Sequence, residues 1–284
     1  MSTAADPSPI QIREIASTGE LRAVEQMQKE VWGIPDLDVV PLYHLIAAQT
    51  SGGILLGAFD ADEMAGFVYG FVGQERGRTV HHSHMLAVRS EYRSRNLGFL
   101  LKLEQRKRVM DQGIDVMTWT FDPLRSHNAY FNFTKLGVIA DRYYRNFYGE
   151  EASSFLHANG TDRFWVTWQL AHPRVVEKIE GRSQDPSTAL LPVLVSVGDQ
   201  GAPMVHDIET AFTSSSFVIE IPEDIGKVET DDPETGRQWR AATCDAFSKA
   251  LDVGYMVEDF IRADRAGKKL GAYVLSRDKA LVAW

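Results

Sequence analysis

Cysteine is almost absent from this sequence of 284 residues. The one cysteine, Cys244, cannot form a disulfide within the chain, and its isolation excludes a metal site built from several cysteines. A chain that uses so little cysteine is typical of a reducing compartment, so we expect a cytoplasmic location. The expected role of Cys244 is that of a small, buried apolar side chain.

Positive charge and long apolar runs are also scarce. The 30 lysines and arginines are outnumbered by 39 aspartates and glutamates, which gives a formal net charge of -9 at pH 7. Phosphate backbones and anionic lipids are bound largely through lysine and arginine, so we expect no nucleic acid and no membrane as partner. No run approaches the roughly 18 apolar residues of a membrane helix, and the first ten residues, MSTAADPSPI, lack the features of a secretory signal.

The residues that are present indicate a folded chain with both helices and strands. Hydrophobic residues make up 44% and charged residues 24%, as in ordinary globular proteins. Ser17 and Glu20 have the spacing of a helix capping box, and Gly33 ends that helix. Residues 171–189 have the proline, glycine and charge content of a linker. We therefore predict a larger domain over residues 1–175 and a smaller α+β region over residues 190–284.

The most informative stretch is HHSHMLAVRSEYRSRNLGFLLKLEQRKR, residues 81–108. Its alternating start predicts a strand ending near Val88, and its leucine-rich end predicts a helix from Leu97. A turn that leads into a helix presents free backbone N–H groups at the positive end of the helix dipole. The stretch therefore predicts an anion site of the size of a pyrophosphate, to which Arg93 and Arg95 add positive charge.

The turn YRSRNLG resembles the acyl-CoA signature of the GNAT acetyltransferases, Arg/Gln-x-x-Gly-x-Gly/Ala, whose ends Arg93 and Gly98 match. Asn96 stands where the family has its first glycine, and asparagine tolerates a positive φ. The segment NAYFNFTKLG, residues 128–137, resembles the second signature of the family. The resemblance covers about the first 60% of the chain and suggests a bacterial GNAT group with a C-terminal extension.

This resemblance implies a GNAT fold, in which helices flank a mixed, mostly antiparallel α/β sheet whose fourth and fifth strands splay apart. It also implies acetyl-CoA or another acyl-CoA as co-substrate, with no metal. Backbone of the fourth strand would pair with the pantetheine arm, the turn would bind the phosphates and the second signature would also face the cofactor. The residues so assigned are Leu86, Ala87, Val88, Arg93, Ser94, Arg95, Asn96, Leu97, Gly98, Asn128 and Phe133.

Histidines precede the turn. Strand alternation predicts that His82 and His84 share one face with Leu86 and Val88. Imidazole is suited to take the proton of an attacking amine near neutral pH, and the order His-x-His-x-Leu-Ala-Val is similar to that of the serotonin N-acetyltransferases. The alternative is that these polar residues at the start of a strand are exposed and idle. A metal site is less favoured, because no third ligand is evident.

The family usually supplies a tyrosine that protonates the departing thiolate, and Phe133 occupies that position. A phenyl ring has no proton to give, so the role passes to Tyr130, to another tyrosine among 143, 144 and 148, to water or to no group. We take Tyr130 as the candidate. Residues 32, 43 and 44 are expected on the acceptor side or in the core, and Arg125 could hold a substrate carboxylate.

The sequence thus predicts an N-acyltransferase that moves an acyl group from acyl-CoA to the amine of a small molecule, such as an amino acid, by direct attack. Two alternatives remain open. The first is a non-catalytic acyl-CoA-binding or regulatory module, which the phenylalanine at position 133 favours. The second is a protein lysine acetyltransferase. A homodimer is compatible with either reading.

Overall fold

The structure is a computed structural model that describes residues 10–149, 160–184, 186, 188, 191–265 and 267–277. Two compact units make up the described chain: residues 10–119 form the first, and the second contains residues 120–149 and the described residues from 160 onward. The predicted division into residues 1–175 and 190–284 stays a prediction.

The first unit is a sheet with three helices. Its strand order is β1-β2-β3-β4-β5, and the neighbours are antiparallel except for the parallel pair β4 and β5. Its elements are β1 (Gln11–Glu14), α1 (Thr18–Trp32), a 3-10 turn (Asp36–Asp38), α2 (Leu42–Thr50), β2 (Ile54–Asp60), β3 (Glu63–Glu75), β4 (Arg78–Val88), a second 3-10 turn (Ser90–Arg95), α3 (Leu97–Asp111) and β5 (Val116–Phe121), whose last two residues belong to the second unit.

Local sequence explains how α1 begins and ends. The Ser17 side chain accepts a hydrogen bond from the Glu20 backbone, and the Glu20 carboxylate accepts one from the Ser17 backbone, which completes the predicted capping box. Gly33 ends the helix in the left-handed region at φ 63°. The apolar side of α1 packs with α2 on one face of the sheet, where Val24, Leu45 and other buried side chains form a core.

The second unit contains the second signature and the C-terminal region. Its sheet has the order β7-β6-β11-β12-β10-β8-β9, antiparallel except between β10 and β8. Its elements are α4 (Ser126–Ala129), which continues as a π-helical stretch (Tyr130–Leu136), β6 (Ile139–Tyr144), β7 (Arg163–Gln169), α5 (Pro173–Ile179), β8 (Val193–Val197), β9 (Pro203–Val205), α6 (Ile208–Thr213), β10 (Ser216–Pro222), α7 (Ile225–Asp231), α8 (Pro233–Asp252), β11 (Met256–Arg265) and β12 (Lys268–Ser276).

The fold class predicted from the sequence is confirmed: helices flank a mixed, mostly antiparallel sheet. The C-terminal region contains the hairpin β11–β12 and the long helix α8, in keeping with the α+β region expected there. The segment read as a linker contains α5, whose Lys178 is buried and pairs with Asp259 at 2.8 Å. Within the described ranges no helix is long and apolar enough to cross a membrane.

Candidate active site

Strand β4 carries a β-bulge at His84. Tyr69 of β3 lies opposite Met85, whereas the next residue of β3, Gly70, lies opposite Ser83, so His84 is an extra residue on β4. Because side chains alternate with a period of two, an extra residue reverses the face on which all later side chains lie. The bulge therefore divides β4 into two halves with opposite alternation.

The bulge corrects the predicted faces of β4. Met85 and Ala87 pack into the apolar cluster formed with α1 and α2. Leu86 and Val88 lie on the α3 side, where their methyl carbons are 3.7 and 4.0 Å from the position that a Cβ on Gly98 would take. The prediction that Leu86 and Val88 share a face with the two histidines is wrong, because it assumed an unbroken alternation.

Strands β4 and β5 separate close to the bulge. In the described chain they pair at two positions, His81 with Met117 and His82 with Thr118. On its other edge, β4 stays paired with β3 as far as Val88, which lies opposite Gly66. Beyond His82, the edge of β4 that faces β5 therefore carries backbone donors and acceptors that pair with no strand in the described part of the chain. Such an edge can accept an extended ligand as an added strand.

The two candidate histidines share the α1/α2 face with a group of aromatic rings. The ring centroids of His82 and His84 are 6.2 Å apart. Phe71 lies 5.4 Å from His82 and 5.9 Å from His84, and Tyr69 lies 6.1 Å from His84. The structure thus brings both predicted histidines together on one face, and it adds two aromatic neighbours from β3.

His82 is half-buried and held by β5. Its Nδ1 lies 3.1 Å from the hydroxyl oxygen of Thr118, the residue directly across the parallel pair. Burial, followed by the positive charges of His84 and Lys102, lowers the pKa of His82 from 6.5 to about 4. At neutral pH the imidazole is therefore uncharged and able to accept a proton.

His84 is the more exposed of the two, and a third imidazole lies near it. Partial burial and, second, the positive charge of His44 lower the pKa of His84 from its usual value. The Nε2 of His44, on α2, is 3.0 Å from the hydroxyl of Tyr69. The sequence analysis did not single out Tyr69. Its position could have been inferred from FVYGF, residues 67–71, where aromatic residues alternate and therefore share one face of a strand.

A buried polar network lies behind β4, on the α3 side. The Lys102 ammonium donates to the hydroxyl of Ser83 at 2.7 Å and lies 3.7 Å from the centre of the Trp119 ring. Ser83 donates to Gln105, whose amide nitrogen is 3.3 Å from the Nε2 of His81. Burial lowers the pKa of Lys102 well below its usual value, and burial and Lys102 lower that of His81 to about 3.

The turn between β4 and α3 has the geometry that the sequence predicted at Asn96. This residue has φ 58° and ψ 20°, in the left-handed region, and it caps the N-terminus of α3. The confirmed positive φ explains how asparagine can replace a glycine here. Arg93 and Ser94 lie in the 3-10 turn just before it, and the Arg95 guanidinium pairs with Asp60 at 2.9 Å.

A groove of about 410 Å³ opens beside this turn. Arg89 lies 3.3 Å from Glu30 and 2.7 Å from Glu63, so two carboxylates balance its charge. The groove is lined by Glu30, Val31, Arg89, Ser90, Glu91 and Arg93. Its mixed charge suits a ligand with both polar and ionised groups.

The remaining predicted residues belong to the second unit. Asn128 is exposed on α4, and Tyr130 is half-buried at the start of the π-helical stretch. Phe133 is fully buried, with its ring centroid 5.7 Å from Tyr273 and 6.5 Å from Phe164. The position that carries a tyrosine in the family is thus part of an aromatic core, which would have to open before Phe133 could contact a cofactor.

The other tyrosines differ in how firmly they are held. Tyr143 donates a 2.7 Å hydrogen bond to Asp162, and burial raises its pKa well above the usual value. Tyr148 is exposed, with its hydroxyl 3.4 Å from Thr120. The Arg125 guanidinium, suggested for a substrate carboxylate, has acidic neighbours: Asp122 at 3.7 Å and Glu229 at 3.5 Å.

The described residues contain no group of three or more histidine, cysteine, aspartate or glutamate side chains placed to hold a metal ion. His82 and His84, the less favoured metal ligands of the sequence analysis, therefore belong to no such group. Their imidazoles lie beside aromatic rings and the Thr118 hydroxyl.

Solved structures resemble part of the chain. The ribosomal-protein-S18-alanine N-acetyltransferase from Escherichia coli is 14% identical over 58% of this chain and 96% of its own, with a TM-score of 0.46. A GNAT-family acetyltransferase from Streptococcus pneumoniae is 18% identical over 56% of this chain and 98% of its own, with a TM-score of 0.44. The aminoglycoside 6'-N-acetyltransferase from Enterococcus faecium is 17% identical over 57% of this chain and 98% of its own, with a TM-score of 0.43.

The sequence itself matches one protein family. No curated protein matches the chain. The acetyltransferase (GNAT) family matches residues 19–137, from the second residue of α1 to the glycine that caps the π-helical stretch. This range contains the bulged strand β4, the turn at Asn96 and both signature segments. Residues 19–137, fewer than half of the 284 residues, are therefore similar to the acetyltransferase (GNAT) family.

Proposed function

We propose that this protein is an acyltransferase of the GNAT type that moves an acyl group from acyl-CoA to the amine of a small molecule by direct attack. The observation that carries the proposal is the pair of uncharged imidazoles, His82 and His84, beside the bulge where β4 parts from β5. Acyl transfer to an amine needs a base at the attacking nitrogen, and a neutral imidazole is such a base.

The proposed donor site follows from the open edge of β4 and from the turn. Backbone groups of Leu86, Ala87 and Val88 would pair with the pantetheine arm as an added strand. The N–H groups at the start of α3, with Arg93, would bind the pyrophosphate, because a helix N-terminus favours an anion. The left-handed conformation of Asn96 supports this use, since it lets the backbone turn sharply into α3.

The reaction follows from ordinary acyl-transfer chemistry. The amine nitrogen attacks the thioester carbonyl carbon and forms a C–N bond, and the nitrogen loses a proton to His84 or His82. The C–S bond then breaks, and its electron pair leaves on sulfur. We assign the proton that neutralises the thiolate to Tyr130, which afterwards regains one from solvent. The histidine passes its proton to solvent in turn.

Several finer points are part of the same proposal. The acceptor is a small molecule, the acyl group is acetyl or a longer one, and the location is cytoplasmic. Asn128 and Phe133 remain proposed cofactor contacts, and a homodimer stays open. Membership of a bacterial GNAT group with a C-terminal extension is also part of the proposal.

A steady-state assay of thiol release tests the function. Acetyl-CoA and longer acyl-CoA thioesters are supplied with a panel of primary amines that includes amino acids, and with a lysine-containing peptide. Release that depends on a small amine, together with the acylated product in mass spectra, supports the proposal. Preferred acylation of the peptide would instead indicate a protein lysine acetyltransferase. CoA binding in calorimetry without turnover on any acceptor would indicate a non-catalytic binding module.

A further inference from the structure

Tyr130 has a cationic neighbour from the C-terminal region. The guanidinium carbon of Arg262, on β11, lies 4.1 Å from the centre of the Tyr130 ring. Both residues belong to the second unit, Tyr130 is half-buried and Arg262 is exposed. At this distance a guanidinium interacts favourably with the π face of the ring and restricts its orientation.

The contact is built into the packing of β11 against the π-helical stretch. The hydroxyl of Thr134, one turn along that stretch from Tyr130, donates to the carbonyl of Phe260, two residues before Arg262. Side chains two residues apart on a strand lie on the same face. The hydrogen bond at Phe260 therefore fixes the position of Arg262 along β11 relative to the π-helical stretch. The stretch and the strand are thus held in register.

The partner strand of β11 shows the same close fit. Gly271 of β12 lies opposite Arg262, and a Cβ on Gly271 would come within 3.0 Å of the Ser126 hydroxyl and 2.3 Å of the Phe260 ring. Only glycine leaves room for the C-terminal hairpin to approach α4 this closely. The hairpin is therefore shaped to receive the helix that bears Tyr130.

We propose that Arg262 is a positioning residue for Tyr130, so that the C-terminal region takes part in the acyl-transfer reaction. This inference rests on the proposed function, in which Tyr130 gives its proton to the CoA thiolate. As the proton leaves, negative charge spreads from the phenolic oxygen into the ring. A guanidinium over that ring stabilises the developing charge without touching the thioester.

The test is a double-mutant cycle measured as kcat with a saturating acceptor and acyl-CoA. Tyr130→Phe should lower kcat by about 10²-fold, the lower range for loss of a general acid. Arg262→Gln should lower kcat by about two- to fivefold with an unchanged KM, and Arg262→Lys should restore most of the loss because it keeps the charge. In the Tyr130→Phe background, Arg262→Gln should have no further effect on kcat.

The control is Arg237→Gln, which removes another exposed arginine, from α8 in the same unit. We expect wild-type kcat from it, and thermal unfolding midpoints within about a degree of wild type for the single variants at exposed positions. Equal effects of Arg262→Gln in both backgrounds would overturn the inference, as would wild-type kcat for Tyr130→Phe. A wild-type protein that acylates no amine would instead overturn the proposed function itself.

Discussion

The two units place the residues that were assigned from the family resemblance in opposite environments. In the first, His82 and His84 lie on a partly open face, beside aromatic rings and next to a strand edge that, among the described residues, is paired with β5 only at His81 and His82. In the second, Phe133 is fully buried among Phe164, Tyr273 and other rings. The residues that the resemblance singles out therefore lie on a partly open face in one unit and in a packed core in the other. Only the burial of these side chains and the residues that contact them reveal this difference.

The largest effect should come from ending the chain at residue 180. This change removes β11 and β12, so the buried Lys178 loses Asp259 and the Phe133 ring loses Tyr273. Leaving a buried charge without its partner costs about 3–5 kcal/mol, and the lost aromatic burial adds to this. We expect residues 120–180 to lose amide-exchange protection. Full protection and unaltered acceptor kinetics would show that the C-terminal region is an independent appendage.

The next largest effect concerns the turn of the first unit. Asn96→Pro forbids the positive φ of this residue and removes its N–H, so it should weaken acyl-CoA binding about 10- to 100-fold, a range that one lost charge-assisted hydrogen bond would give. Asn96→Gly, which adopts the same φ, is the matched control and should bind normally. Calorimetry measures both, and circular dichroism checks the fold. Unchanged affinity of a folded Asn96→Pro protein would contradict the phosphate site.

A smaller effect is the pH dependence of stability. The pKa values of His81 and His82, about 3 and about 4, lie below the usual 6.5 that they regain on unfolding. Below pH 6.5 the unfolded chain therefore binds protons that the folded chain does not, and the free energy of unfolding falls as the pH drops toward 4. Each histidine adds a slope of up to about 1.4 kcal/mol per pH unit.

Urea denaturation between pH 7 and pH 4 measures this slope. The variant His82→Gln should lower this slope by the contribution of about one proton, because glutamine does not titrate. Thr79→Ser, at an exposed position of the same strand, is the control and should leave the slope unchanged, because neither side chain titrates in this range. An identical slope in wild type and His82→Gln would mean that His82 has the same pKa in both states.

The smallest effect should come from restoring the family's tyrosine. Phe133→Tyr places a hydroxyl inside the ring cluster, where an unsatisfied donor costs about 1–3 kcal/mol. We expect a lower thermal midpoint and no gain in kcat. A rise in kcat would show that the cluster opens at this position and that the contrast between the two units is wrong.

Local rules predicted the parts of the fold that depend on neighbouring residues. The capping box of α1, the left-handed Asn96 and the order strand, turn, helix follow from spacing and from conformational preference. The bulge at His84 could not be predicted in this way. It depends on how β3 and β4 pair, and the alternation in HHSHMLAV does not indicate it. Thr118 and Arg262 were missed for the same reason, since their contacts join distant parts of the chain.

The central claim is that His82 and His84 accept the proton of the amine, and the turnover of the double variant His82→Gln/His84→Gln tests it most directly. With a saturating acceptor at pH 7, turnover should fall by about 10²–10⁴-fold while CoA affinity stays at the wild-type value. Each single variant should retain part of the activity, because the other imidazole remains. Wild-type turnover of the double variant would contradict the account and show that the base lies elsewhere.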